Sequence, residues 1–270
     1  MIDLHCHILP GIDDGAPDLE VALAMARCAV DDGITVTACT PHIYPGLYEN
    51  NRDSILAAIE SFRQNLAQEN IPLRLVEGAD THLAPDLVGQ IKAGKVPTLN
   101  GSRYFLFEPP HHVLPPRIED TVFSLLAAGI VPVITHPERL TWIEENYPVF
   151  ARMVHSGAWI QLTAGSVTGR FGPRPKYWAE RIMDEGLCHI LATDSHHITR
   201  RPPLLAEARD AAAKRLGNQE AMHLVVTRPQ GIIDNRPPNE LPLLPDPVKI
   251  HSEKKGFWRS LLKTKRHTNH

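Results

Sequence analysis

Cysteine is scarce in this chain. Only four occur in 270 residues (Cys6, Cys28, Cys39 and Cys188), and no two form a Cys-x-x-Cys pair. That spacing excludes a dense disulfide framework and predicts reduced thiols in a cytoplasmic protein. Long hydrophobic runs are missing too. The longest, Leu125 to Ile134, is broken by Gly129 and Pro132, whereas a bilayer crossing needs about 20 apolar residues. The opening Met1-Ile2-Asp3-Leu4-His5 has neither the basic nor the apolar region of a signal peptide. No sign of charge dominates: the net charge is −3, which gives no global reason to expect nucleic acid as a partner. No Gly-x-Gly-x-x-Gly follows a strand pattern, so the dinucleotide-binding α/β fold has no support.

With 43% hydrophobic and 22% charged residues, the composition excludes a disordered chain, a collagen and a coiled coil. Histidine is the exception to this ordinary profile, with 15 residues. Short apolar runs alternate with helical patterns along the chain. The spacing predicts strands at 2–5, 35–40, 73–78, 104–108, 131–135, 159–163 and 189–193, starting about thirty residues apart from the second onward. Helices are expected at 18–32, 52–69, 115–128, 144–155, 175–185 and 204–215. In the first, Leu19, Ala22, Leu23, Ala26 and Val30 share one face, Asp18 is placed to cap the start and Gly33 to end it. Such alternation implies a parallel sheet with helices outside it. Seven units suit a closed or nearly closed barrel, since eight take about 250 residues; an open doubly wound sheet is the competing architecture.

The chain divides into a body at 1–235, a Pro-rich linker at 236–248 and a basic tail at 249–270. Five prolines fall between Pro237 and Pro247, which reads as extended chain. The tail carries seven Lys or Arg against one Glu, so the body is more acidic than the net charge suggests. Phe257, Trp258, Leu261 and Leu262 can share a helical face among these cations. Two readings follow: a solvated tail, or a short amphipathic anchor for an acidic membrane surface or a partner.

The chemistry concentrates at strand ends. His5 and His7 close the first strand as His-x-His, where residues i and i+2 point the same way and both rings reach one ion. His42 follows the second strand, Asp80 the third, Glu108 ends the fourth, His136 the fifth, and Asp194 and His196 the seventh; Asp14 lies in the loop after the first. In a parallel barrel these ends open on one face, where active sites are built. Imidazole with carboxylate suits Zn, Mn or Fe. Nine ligands exceed the needs of one ion, so two or three metals are expected, with a carboxylate between adjacent dications. A cluster of acids in one mouth would be costly without cations. His82, His111, His112, His155, His189, His197 and His223 are read as capping or packing histidines. Gly165–Gly172 reads as either a mobile loop at the mouth or a plain connection.

Ile2-Asp3-Leu4-His5-Cys6-His7-Ile8-Leu9-Pro10-Gly11-Ile12-Asp13-Asp14-Gly15, Thr40-Pro41-His42, Ile134-Thr135-His136-Pro137-Glu138-Arg139 and Thr193-Asp194-Ser195-His196 resemble the polymerase and histidinol phosphatase (PHP) superfamily. More narrowly, they resemble the CpsB-like tyrosine phosphatases of bacterial capsule and exopolysaccharide operons. The resemblance runs from Met1 to about Asn235. It implies a distorted seven-stranded (β/α)7 TIM-like barrel and a trinuclear centre, most often manganese, with Fe or Zn as alternatives. Carried over by motif, His5, His7 and Asp194 would hold one ion, Glu108 and His136 a second with Asp80 bridging to the first, and Asp14, His42 and His196 a third. Position 80 is usually Glu in that family, and Asp is one methylene shorter. Cys6 stands where the family often has a small hydroxyl residue, and is read as packing.

The ions would supply an activated water as nucleophile. Arg139, just past His136, has the planar fork that suits phosphate and is the first choice of catalytic and substrate-binding cation. Arg200 or Arg201 is a second phosphate contact, and His42 a candidate proton donor to the leaving phenolate. A phosphocysteine route finds no support, because a Cys-x5-Arg motif is missing: Ile12, Ile34, Pro45 and Asp194 stand six residues after the four cysteines. The implied substrate is a phosphotyrosine protein, a tyrosine kinase controlling polysaccharide export; self-association is left open. The rivals are a histidinol-phosphatase-like or other hydrolase on the same barrel, and a non-catalytic scaffold for the kinase.

Overall fold

Strands form where β-branched and aromatic residues cluster, as the periodicity predicts. The computed structural model describes residues 1–248, so the tail at 249–270 lies outside the described residues. Among the described residues there are nine strand segments: β1 (Ile2–Cys6), β2 (Val36–Cys39), β3 (His42–Ile43), β4 (Arg74–Glu77), β5 (Asp80–His82), β6 (Tyr104–Glu108), β7 (Val131–Thr135), β8 (Trp159–Thr163) and β9 (Ile190–Ala192). They build two parallel sheets, one ordered β1-β2-β4 and the other β3-β5-β6-β7-β8-β9. Between the ends of β1 and β9, Asp194 N–H donates to His5 C=O at 2.8 Å and His7 N–H to Ser195 C=O at 2.8 Å.

The second and third expected strands appear as β2 and β4, and each is followed after a two-residue break by a short strand that was not expected, β3 and β5, which moves the chain from one sheet to the other. Pro41 separates β2 from β3 and has no N–H for the ladder. Gly78 separates β4 from β5; a Cβ there would lie 2.9 Å from Thr40 Cγ2 and 3.0 Å from Leu99 Cδ2, so the close approach admits only glycine.

Strand alternation sorts side chains onto two faces. Ile2, Leu4, Val36, Ala38, Val76, Tyr104, Leu106, Val131, Val133 and Ile190 cluster together, joined by Ile232, Ile233 and Leu241 from the C-terminal part. Phe105, Phe107, Ile134, Ile160, Leu162 and Leu191 pack into a second cluster that includes the helices. The helix Leu19–Asp31 is capped by Asp18, whose side chain accepts from Val21 N–H, and buries Ala22, Met25, Ala26 and Ala29. The helix Arg52–Gln68 opens on a reciprocal Asn51–Ser54 capping box and buries Ile55, Ile59, Phe62 and Leu66. Each large apolar side chain so buried contributes roughly 1.5–3 kcal/mol.

The expected helix at 144–155 is instead Ile143–Asn146 followed by Pro148–His155. Pro148 cannot donate to the preceding turn and starts a new helix at its first position. The segment expected as a loop at 165–172 begins with a helix, Ala164–Thr168. Residues 236–248, expected as extended chain, make one short 3-10 turn at Pro238–Glu240 and lack regular structure after it, and they lie on the body. Buried Arg228 donates to Pro242 C=O and Leu243 C=O and pairs with Glu220, and Val248 N–H donates to Asp184 C=O. Among the described residues, no helix is long and apolar enough to cross a membrane.

His189, read as a packing histidine, sits at the start of β9 with its ring stacked on Trp159 and Nδ1 accepting from Ile160 N–H at 3.1 Å. Burial, with Arg228 adding to it, pushes its pKa down to about 3. The unfolded chain therefore takes up this proton first, and stability is lost as pH falls through about 6.5 toward 3. Between pH 7 and pH 5 the loss from this group is about 2 kcal/mol. His189→Asn keeps an acceptor and removes the titration. Urea unfolding should show the variant losing about 2 kcal/mol less than the wild type over that interval; equal losses would contradict this assignment.

Candidate metal centre

The nine candidate ligands come together at the carboxyl ends of the strands. His5 Nε2 lies 3.2 Å from His7 Nε2, 3.3 Å from Asp194 Oδ1 and 3.4 Å from Asp80 Oδ2. His42 places Nε2 3.4 Å from Asp14 Oδ1, and Nδ1 3.5 Å from Asp80 Oδ2 and 3.4 Å from Glu108 Oε2. His136 Nε2 stands 3.8 Å from both Asp80 Oδ2 and Glu108 Oε1. His196 Nε2 is 3.4 Å from Asp14 Oδ1. Asp80 thus approaches three of the five imidazoles despite being a methylene shorter than Glu. Cys6 is buried in the helix-facing core, away from this cluster.

Several ring orientations are fixed from outside. His5 Nδ1 is 2.9 Å from Gln161 Oε1, His7 Nδ1 donates to Asp13 Oδ2 at 2.7 Å, and His196 Nδ1 lies 3.0 Å from Asp194 C=O. Each bond turns Nε2 toward the centre, the usual way a protein orients imidazole ligands. Asp13 also accepts from the backbone N–H groups of Gly15 and His42, which ties the first loop to the start of β3. His136 and Asp194 both adopt left-handed backbone conformations, with φ of 36° and 50°. Such conformations in non-glycine residues are uncommon and cluster at functional sites.

The electrostatics test whether the donors fit divalent cations. Both Asp80 carboxylate oxygens, His42 Nδ1 and His136 Nδ1 are buried without a hydrogen-bond partner among the described residues. A buried carboxylate left so is costly unless a cation compensates it. Burial opposes ionisation of Asp80, yet His5 and the neighbouring imidazoles hold its pKa well below the carboxylate range. Burial likewise opposes charge on His5 and His42, but the surrounding carboxylates raise them to about 9 and about 10. The mouth therefore demands positive charge. Four groupings place donor atoms of three or four residues within 4.8 Å: His7/Asp14/His42/His196, His5/His7/Asp80, His5/His136/Asp194 and His42/Asp80/Glu108. This donor set fits divalent metal ions.

Residues 1–234 match the model of the capsular polysaccharide synthesis family CpsB/CapC. The chain belongs to that family. It is similar to tyrosine-protein phosphatase YwqE of Bacillus subtilis, with 33% identity over 249 residues covering 92% of this chain and 97% of the relative. It is also 30% identical over 207 residues to a putative tyrosine-protein phosphatase CapC of Staphylococcus aureus, covering 77% and 81%. A solved structure described among YwqE from Bacillus subtilis and CpsB from Streptococcus pneumoniae, "unique metal-dependent tyrosine phosphatases", superposes with a TM-score of 0.86 at 33% identity. It covers 93% of this chain and 100% of that one. A lactonase from Listeria monocytogenes, at 13% identity and a TM-score of 0.51 over 86% and 94%, shares the fold alone.

Arg139 and Arg201 both pair with Asp194 Oδ2, and both guanidinium carbons lie over the Phe171 ring, at 5.4 and 5.9 Å. Arg200 is exposed and takes part in none of the ion pairs of the site. Sequence reasoning gave Asp13 and Gln161 no role and read His82 and His111 as capping or packing histidines. His82 Nδ1 lies 3.3 Å from Glu108 Oε2, and His111 forms a fifth grouping with Glu108 and His136. A signal for Gln161 was available: one amide among the apolar residues of strand Trp159–Thr163 needs a buried partner.

Proposed function

We propose that this chain is a metal-dependent protein-tyrosine phosphatase that removes phosphate from a tyrosine kinase governing capsule or exopolysaccharide synthesis. The observation that carries the reading is Asp80, whose two buried oxygens have no hydrogen-bond partner among the described residues and whose Oδ2 faces three imidazoles in a mouth also lined by Asp14, Glu108 and Asp194. His5, His7, Asp14, His42, Asp80, Glu108, His136, Asp194 and His196 would hold up to three divalent ions, manganese by resemblance, with Asp80 as the shared carboxylate. When bound, such ions act as Lewis acids and activate water at neutral pH. The seven strand positions, joined across β1 and β9 by the bonds at His5 and His7, support a closed barrel around this centre.

The chain's own residues bind and orient the ester. Arg139 and Arg201 present planar forks to the phosphoryl oxygens, and Asp194 holds both guanidinium groups at the mouth. His42 is the most open of the five imidazoles, with 13% of its side chain exposed. It is assigned to the leaving-group side, where the aryl–oxygen bond to phosphorus breaks and the phenolate oxygen takes up a proton. The basic segment 249–270 is assigned, on sequence alone, to docking at a membrane surface or the kinase. Release of phosphate from a phosphotyrosine peptide, lost on chelation and restored by Mn²⁺, tests the reading. Histidinol phosphate should be hydrolysed at least tenfold less efficiently; equal or better turnover would favour the histidinol-phosphatase reading instead.

A further inference from the structure

Beside the metal centre lies a cleft of about 380 Å³ whose walls change character along their length. Asp14, His42, Glu108 and His111 line it on the side of the centre, and Tyr44, Leu47, Tyr48 and Val113 supply its apolar and aromatic lining. Three of these are large apolar or aromatic side chains left open to solvent: Tyr44 at 37%, Leu47 at 61% and Val113 at 62% exposure. Leu47 and Val113, at the edge of an acidic, imidazole-rich mouth, bury little surface and so add little to the fold. An apolar lining joined to a polar side is the form of a ligand subsite, and the volume falls in the range that such sites occupy.

Both walls are fastened. Tyr44 and Tyr48 exchange backbone hydrogen bonds at 3.0 and 2.8 Å, and Leu47 N–H donates to Tyr44 C=O. Gly46 completes the turn with φ of 85°, and its N–H donates to Glu49 Oε1 at 2.6 Å. Asn50 ties this turn to the first loop through Ile12 C=O and to His42 C=O. On the opposite side, Trp142 Nε1 donates to Pro110 C=O, and Thr141 donates from both its N–H and its hydroxyl to His111 C=O. The rings themselves continue into the centre. Tyr44 stacks on His82 with centroids 3.9 Å apart, and Tyr48 stacks over His42 at 5.7 Å. A slot with fixed walls loses little freedom when it closes on a flat ring, so burial of the ring converts efficiently into affinity.

We infer that this slot is the aryl subsite: the phenyl ring of the substrate lies between the Tyr44–Tyr48 turn and the Pro110–Val113 segment, with its ester oxygen toward His42 and Glu108. The inference rests on the phosphatase reading and deepens it, because it places the choice of aryl over alkyl phosphates in Tyr44, Leu47 and Val113 rather than in the metal ligands. Arg139 and Arg201, with the cations the centre would hold, bind the phosphoryl group of either kind of ester. Only the aryl group gains from the apolar walls.

Phenylphosphonate and methylphosphonate, as competitive inhibitors of phosphotyrosine-peptide hydrolysis by the full-length, metal-loaded protein, separate the two contributions. The wild type should bind phenylphosphonate at least tenfold more tightly than methylphosphonate. In the double variant Leu47→Ser/Val113→Ser that ratio should fall to within twofold of unity. Phe123→Ser, at a side chain 70% exposed on the helix Ile118–Ala127 and outside the slot, should keep the wild-type ratio. Two outcomes overturn the inference while leaving the phosphatase reading intact: a wild type indifferent to the phenyl group, or a double variant that retains the preference. A wild type that hydrolyses no phosphate ester with its metals bound would instead defeat the phosphatase reading on which the subsite depends.

Discussion

Asp80→Asn should lower the turnover of a phosphotyrosine peptide by about a thousandfold, which corresponds to about 4 kcal/mol of transition-state stabilisation. The substitution preserves volume and removes one charge. That charge stands 3.4 Å from His5, 3.5 Å from His42 and 3.8 Å from His136, and no hydrogen-bond donor among the described residues occupies either oxygen. No other side chain of the mouth pairs with this combination of imidazoles. Without the carboxylate, adjacent dications would face each other with less negative charge between them. The metal content of the variant should therefore fall by at least one ion per chain, while its circular dichroism stays that of the wild type. Activity within tenfold of the wild type, with full metal content, would remove Asp80 from the centre.

Arg139→Ala should lower kcat/KM about a hundredfold, or about 2.7 kcal/mol, with metal content unchanged. Its guanidinium meets Asp194 beside that of Arg201, and the two share the Phe171 ring beneath them. Because they act on one carboxylate and one phosphoryl group, the double variant Arg139→Ala/Arg201→Ala should fall short of the product of the two single effects. Arg139→Lys should recover little, since an ammonium cannot present two parallel N–H groups to phosphate. Unchanged kcat/KM in Arg139→Ala would place this residue in structural support of Asp194 rather than in substrate binding. A loss of metal together with activity would do the same.

Much of this arrangement was legible in the residue pattern, for reasons that differ by element. Tyr104–Glu108, Val131–Thr135 and Trp159–Thr163 match their expected bounds, because each is a buried apolar run between clear breaks. The second and third strands were expected to end at Thr40 and Gly78, and the short strands His42–Ile43 and Asp80–His82 beyond them were not expected, because two or three residues carry no periodicity of their own. What sets each short strand apart is a missing N–H at Pro41 and a close backbone approach at Gly78, and neither alters periodicity. Pro148 split a helix whose hydrophobic stripe is otherwise unbroken. The ligand types at strand ends were visible because parallel topology sends all those ends to one face. Their orientation was not, since Gln161 and Asp13 act through contacts across 156 and 6 residues of sequence that no local pattern encodes. His111 was read as a capping or packing histidine because a lone imidazole near a strand end usually is one; its segment is held beside the cluster by the bonds from Thr141 to its carbonyl.

The central claim is that the imidazoles and carboxylates at these strand ends form one multi-cation centre that the hydrolysis of phosphotyrosine requires. Mass spectrometric metal analysis of freshly purified full-length protein, paired with phosphate release before and after chelation, tests it most directly. The account predicts between two and three divalent ions per chain, with turnover falling in step as they are removed and returning with Mn²⁺. Substoichiometric metal together with turnover that chelation leaves untouched would contradict it.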